Sequence, residues 1–251
     1  MKFNILIVIT VLFFSQGCGS GKFYKSTDTK LVDHEQFSQL LKKNVTSDGL
    51  VNYKGFIEDS LLLNKYLNEL STNPPSTKWS DEEQLAYWIN AYNGFTIQLI
   101  IRNYPLESIK DIKKGITFVN SVWDIKFFEI GGEKLDLNKI EHGIIRKRFD
   151  EPRIHFAVNC ASYSCPALRN EAFTSEKLDK QLDEQATSFI NDEKRNKITP
   201  DNPQISSIFN WFTGDFTKEL TLVEFINQYS EVKINEGVKP SYLDYDWSLN
   251  E

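Results

Sequence analysis

Three side chains able to do nucleophilic or acid–base chemistry stand close together in the second half of the chain: His155, Cys160 and Cys165. An isolated thiol of pKa about 8.5 is only a few per cent thiolate at neutral pH, so a working cysteine needs a base or a helix N-terminus beside it. Cys160 as nucleophile with His155 as its base follows the logic of thiol hydrolases and acyl transferases, with Asn159 or an asparagine of the central helix orienting the imidazole. His142 is a second candidate base. The same two cysteines also read as a disulfide, since an even pair is expected to close in an oxidising compartment. In the chain-entropy model so short a loop gains about 2 kcal/mol, enough to fix a site loop. For a metal centre built from His142, His155, Cys160 and Cys165 the gaps match no common zinc spacing, and no cofactor is expected. The chain has no Gly-rich phosphate loop, no nucleophile-elbow pattern and no paired-histidine metalloprotease motif.

These residues need elements to hold them. Ile154, Phe156 and Val158 alternate with His155, Ala157 and Asn159, the period of a strand, and Cys160 to Pro166 reads as the loop after it. On a regular strand His155 and Cys160 point to opposite faces, so the dyad requires a turn at or just after Asn159. Glu141 and His142 fall on a helix that Asp136 can cap and that the basic run Arg146-Lys147-Arg148 closes.

The clearest helix starts at Ser80, with Glu83 three residues on as the reciprocal acceptor of a capping box, and should end before Pro105. It is apolar on nearly every face, which predicts a buried central helix. Asn90 and Asn93 then lie one turn apart inside the core, and each needs a specific partner, either neighbouring backbone or a ligand. Trp88 and Tyr92 on the same helix, with Trp211, are candidates to line a groove.

Two amphipathic helices flank Val51-Asn52-Tyr53, one from His34 to Lys43 and one from Glu58 to Leu70. A short helix is expected near Ser108 to Ile112. Val122 to Ile130 is rich in β-formers, and Gly131-Gly132 turns it into a hairpin. Helices from Ser175 to Ile190 and Thr221 to Tyr229 follow, and Tyr242 to Trp247 alternates like an edge strand. Helices and strands without βαβ alternation make the fold α+β, a single domain whose buried central helix packs on a small, mostly antiparallel sheet.

The N-terminus carries an address. Lys2 precedes the apolar run Ile5 to Phe14 and the small, polar Ser15-Gln16-Gly17, the layout of a secretory signal peptide over residues 1–17. That run is roughly half the ~20 residues a membrane-spanning helix needs. Ser15-Gln16-Gly17-Cys18 resembles the bacterial lipobox, departing from it at Ser15, where Leu is commonest. Cys18 is therefore expected to be acylated and held in a lipid bilayer, with residues 18–33 a flexible tether and 34–251 the globular domain. The alternative is ordinary cleavage that frees a soluble protein. Gly19 stands where many inner-membrane lipoproteins carry aspartate, which points to the outer membrane. A net charge of -6 and an exported chain argue against nucleic acid as partner. With 40% apolar residues among 251, the chain can bury one sizeable core, and eighteen Phe, ten Tyr and five Trp make large rings the material of that core or of a groove.

Four blocks are familiar in combination: Tyr87 to Asn93, Ile140 to Arg146, His155 to Cys160 running on to Ser164-Cys165-Pro166, and Tyr245 to Asn250. In order and spacing they resemble the family catalogued as domain of unknown function 547, over nearly the whole span from Val51 to Asn250. The resemblance implies the domain but brings no established activity. Members of that family do not all keep both cysteines, which counts against an obligatory thiol mechanism across it. Two functions remain open: a cysteine-dependent hydrolase or acyl transferase acting on an envelope peptide or glycan, and a non-catalytic binding module, for a peptide, glycan or protein, with a structural Cys160–Cys165 disulfide.

Overall fold

The computed structural model describes residues 29–113 and 120–251. The expected signal peptide, Cys18 and most of the tether lie outside the described residues. In chain order the elements are α1 (Glu35–Asn44), α2 (Tyr53–Glu58), α3 (Ser60–Thr72), α4 (Asp81–Asn103), β1 (Phe128–Ile130), β2 (Glu133–Leu135), a π-helix (Lys139–Ile145) running into α5 (Arg146–Arg148), α6 (Leu178–Ile190), β3 (Gln204–Ile205), α7 (Ile208–Trp211), α8 (Thr213–Phe216), α9 (Leu222–Tyr229) and β4 (Ser241–Tyr242). The chain is a single α+β domain.

Helix α4 is the centre, and its start is built as the sequence predicts. The Glu83 N–H donates to Ser80 Oγ (3.1 Å) and the Ser80 N–H to Glu83 Oε2 (2.7 Å), while Asp81, Glu82 and Glu83 complement the positive end of the helix dipole. Every residue from Gln84 to Ile100 is buried, because α2, α3 and the π-helix pack around it. The Gly131-Gly132 turn, with φ of 60° and 78°, closes the β1–β2 hairpin in antiparallel register, Phe128 opposite Leu135 and Ile130 opposite Glu133. Among the described residues no helix is long and apolar enough to cross a membrane.

A second hydrophobic cluster sits beside the first. Phe156, Phe189, Phe209, Phe216 and Phe225 pack with tilted and stacked rings between α6, α7, α8 and α9. Here β3 pairs with β4 in parallel, a second two-stranded piece separate from the hairpin.

Several boundaries differ from those the sequence predicts. Residues 154–158 are not a strand: Pro152 to Phe156 form a 3-10 helix. Pro152 presets φ at its first turn, and Glu151 accepts the Arg153 N–H at 3.0 Å. All residues from Ile154 to Asn159 are buried, so the apparent alternation had no solvent face to report. Of the β-rich stretch 122–130 only Phe128–Ile130 is strand, since Ser121 and Asp124 close a 3-10 turn over Val122–Asp124. The tail is strand only at Ser241–Tyr242, and the helix expected from Glu58 is preceded by a separate α2 that Asn52 caps.

Candidate functional site

The loop after the Pro152 helix turns sharply at Ala161, a non-glycine residue at φ 61°. That left-handed conformation costs on the order of 1–3 kcal/mol and persists only where neighbours enforce it. Here the Ala161 N–H donates to Asn159 Oδ1 (2.9 Å) and its carbonyl accepts from the Asn250 N–H (3.3 Å). Asn159 also donates through Nδ2 to the Pro166 carbonyl (2.8 Å), so its side chain braces the loop. The C-terminal tail lies along the loop, with the Tyr163 N–H on the Ser248 carbonyl (2.7 Å) and the Asp246 N–H on Ser164 Oγ (2.9 Å).

This turn presents Cys160, partly exposed, to a ring of donors. Ser162 Oγ stands 3.2 Å and the Tyr245 hydroxyl 3.4 Å from Cys160 Sγ, and the two hydroxyls are 3.0 Å apart. The Cys160 N–H rests on Cys165 Sγ at 3.0 Å. Both cysteines are free thiols. Hydrogen bonding from the Cys165 thiol brings the Cys160 thiol down to about 7, and Ser162 and Tyr245 add to it against the desolvation of burial. Burial pushes the Cys165 thiol well up, so of the two Cys160 is the one poised as thiolate.

His155 does not meet the thiol in a hydrogen bond. Its Nε2 lies 2.7 Å from Asp215 Oδ2, the oxygen that also accepts from Arg146 Nε at 2.6 Å. The hydrogen bond from His155, with Arg146 adding to it, holds Asp215 far below the usual carboxylate range, so it is ionised and can only accept. Nε2 therefore carries the proton, and Nδ1, buried and without a hydrogen-bond partner among the described residues, keeps its lone pair. Burial lowers the imidazole pKa although Asp215 opposes it, leaving His155 neutral at pH 7. The ring is clamped by Phe212, stacked at 3.9 Å between centroids.

Cys160 and His155 line one cleft of ≈ 210 Å³. Its floor includes Tyr92 and Glu141, the latter buried and with its carboxyl pKa raised by desolvation against the pull of His142, Tyr92 and Arg146. The π-helix, a form recurrent at functional sites, sets both Glu141 and His142 against the cleft. His142 Nδ1 is 2.9 Å from Arg146 Nη1. The rim is aromatic: Trp211, 47% exposed, lies against Tyr245 (4.8 Å) and Trp247 (5.8 Å). The Lys110 ammonium sits 3.4 Å over the Trp247 ring.

The structure thus gathers His142, His155, Cys160, Cys165, Tyr92 and Trp211 on the cleft and leaves Trp88, Asn90, Asn93 and Asn159 outside it. Asn90 makes a reciprocal pair with the Phe173 backbone (2.8 and 2.9 Å), and Asn93 bridges the Ala157 carbonyl and the Asn159 N–H (2.9 and 2.8 Å). Both asparagines tie α4 to the site loop's ends. Trp88 is fully buried, edge-on to Tyr87. Among the described residues no three His, Cys, Asp or Glu side chains converge as metal ligands would.

Residues 76–190 match the family described as "Protein of unknown function, DUF547". No curated protein and no solved structure matches the chain. The DUF547 segment carries Tyr92, Glu141, His142, His155, Cys160 and Cys165, but not Asp215 or Tyr245. Asp215 and Tyr245, like Ser162, touch the candidate residues without having been singled out by the sequence reading. Asp215 lies within the four-residue helix α8 with no flanking motif, and it meets His155 across 60 residues. Tyr245 belongs to a block that the family resemblance contains, which is the one signal that could have drawn attention to it.

Proposed function

We propose that this chain is an envelope lipoprotein, anchored through acylated Cys18, whose cleft carries thiol-dependent acyl transfer or hydrolysis on an envelope peptide or glycan. The observation that carries the reading is the convergence of Ser162, Tyr245 and Cys165 on Cys160 Sγ at the wall of a cleft that also holds a buried, Asp215-oriented imidazole. Hydrogen bonds aimed at a sulfur favour its ionised form, the form that attacks carbonyl carbon.

In this reading the Cys160 thiolate adds to the carbonyl carbon of an ester or amide. The leaving alcohol or amine departs with a proton from solvent, and a thioester remains on Cys160. His155, which lines the same cleft, then takes a proton at Nδ1 from water as the water oxygen adds to the thioester carbonyl, a step that requires the ring, whose Nδ1 is buried at rest, to open toward the cleft. Collapse expels the thiolate and releases the acid, and the imidazole returns its proton to solvent. The separation of His155 from Cys160 suits this second step, since the base acts on water and the thiol ionises through its own donors. Glu141 and His142 face the same space, and the exposed rings of Trp211 and Trp247 offer stacking surface to a sugar or an aromatic side chain.

The test is single-turnover acylation by an activated aryl ester, followed by mass mapping. Cys160 should be acylated with a rate that rises with pH through a midpoint of about 7. Cys160→Ala should abolish it, a loss on the order of 10³-fold or more against the intact thiol. Acylation that survives this substitution, or a midpoint at the ordinary thiol value, would leave the aromatic cleft as a binding module instead. Metabolic labelling with a fatty-acid analogue, lost in Cys18→Ala, checks the anchor.

A further inference from the structure

A thiol that is partly exposed, hydrogen-bonded as a thiolate and packed against a second thiol has a chemistry besides acyl transfer. Cys160 faces the cleft, and behind it Cys165 is buried, its sulfur close enough to accept the Cys160 N–H at 3.0 Å. The Cys165 thiol also reaches the Val158 carbonyl at 3.8 Å. The loop joining the two is held at its far side by Arg195, which donates through Nε to the Cys165 carbonyl (2.7 Å) and through Nη2 to the Tyr163 carbonyl (3.0 Å). The second sulfur is thus presented to the first by a pinned loop rather than by chance encounter.

We propose that Cys160 is a peroxide-reactive site and Cys165 its resolving thiol, so that the pair reduces one hydroperoxide as it closes into a disulfide. The Cys160 thiolate attacks the distal oxygen of ROOH. The O–O bond breaks, and RO⁻ takes a proton from solvent and leaves as ROH. Cys160 is now a sulfenic acid. Cys165 Sγ, giving up its proton, attacks Cys160 Sγ; the S–O bond breaks and the departing hydroxide takes that proton as water. Two thiols have lost two electrons and the peroxide has gained them. The Ser162 and Tyr245 hydroxyls, which surround Cys160 Sγ, are placed to hydrogen-bond the departing oxygen. Burial of Cys165 keeps it protonated and out of direct reach of oxidant, so the order of events is set by position: Cys160 reacts first and Cys165 resolves. The inference shares Cys160 with the acyl-transfer reading, and oxidation would switch that chemistry off, but it does not depend on it.

The experiment treats the reduced full chain with one equivalent of hydrogen peroxide, then alkylates and maps peptides. The wild-type protein should yield a Cys160–Cys165 linked peptide that a dithiol reverses. Cys165→Ala should stop at the sulfenic acid, trapped by dimedone on Cys160. Dimedone on Cys18 alone, an unreacted Cys160, or over-oxidation of Cys160 in wild type without cross-linking would overturn the proposal; the wild-type map stands even where the variant folds poorly. Aryl-ester acylation measured on the same reduced sample separates the two readings. Acylation without cross-linking defeats the peroxide inference alone, and cross-linking without acylation defeats the acyl-transfer reading alone.

Discussion

The cleft is shared between two stretches of chain that are built differently. The segment that matches the family, residues 76–190, carries the candidate thiols and His155 on a scaffold of buried helix and reciprocal amide bonds, with Asn90 and Asn93 joining α4 to backbone on either side of the site loop. The chain beyond it supplies Asp215, Tyr245, Trp211 and Phe212, carried on short helices and an irregular tail that a phenylalanine cluster holds in place. The first region therefore decides which groups are present. The second adjusts them: Asp215 fixes the tautomer of His155, and Tyr245 adds one hydroxyl to the Cys165 and Ser162 contacts on the Cys160 thiol. A site assembled this way can keep its reactive residues while the partners that tune them change.

The largest test of that division is Phe209→Ala. Phe209 is fully buried in the phenylalanine cluster, and its loss should cost about 3–5 kcal/mol, read by chemical denaturation. The Cys160 alkylation midpoint should rise with it as the tail loosens; a destabilised protein with an unmoved midpoint would show that the tail is held independently. Asp215→Asn keeps shape and removes charge. Deacylation should fall about 10²-fold or more while alkylation of Cys160 changes little, and an equal fall in both would mean that Asp215 acts on the fold rather than on the imidazole.

His34, ahead of both regions, and Asp215, in the second, answer acid differently. His34, packed near α3 and 2.8 Å from the Tyr66 hydroxyl, has its pKa lowered by burial to about 4. Between 6.5 and about 4 the unfolded chain takes up a proton there that the folded chain refuses, so stability falls as pH falls through this window, by about 3 kcal/mol. His34→Gln should flatten it. Asp215 has its folded pKa depressed, so its contribution is present above the unfolded carboxylate value and is lost only as pH falls below that range toward the folded one. Acid titration of the wild type should therefore show loss in the histidine range before loss in the carboxylate range, and Asp215→Asn should shrink the second. The smallest effect belongs to Tyr245→Phe. Loss of one donor should raise the Cys160 midpoint by about half a unit, with the Cys165 and Ser162 contacts kept; a downward shift would contradict the role given to the hydroxyl.

Much of the scaffold is written in local pattern. Ser80 and Glu83 announce α4, Gly131-Gly132 announces the hairpin, and Thr221 with Glu224 starts α9 just where the last helix was expected. Each is a matter of residues within a turn of one another, where dihedral preference and capping act without help from the rest of the chain. The strand expected at 154–158 failed because alternation reports a sheet only when one face meets solvent, and here the protein covers both. Cys160, Cys165 and His155 were legible as candidates from residue type and proximity. Their pairing was not: His155 meets Asp215 across 60 residues, and Cys160 meets Tyr245 across 85. Sequence determined where α1, α3, α4, α6 and α9 form and which reactive groups the chain carries, because those follow from short-range sterics and composition. Tertiary structure decided which of those groups touch and how each is protonated, because hydrogen bonding and desolvation depend on neighbours that only the packed core brings together.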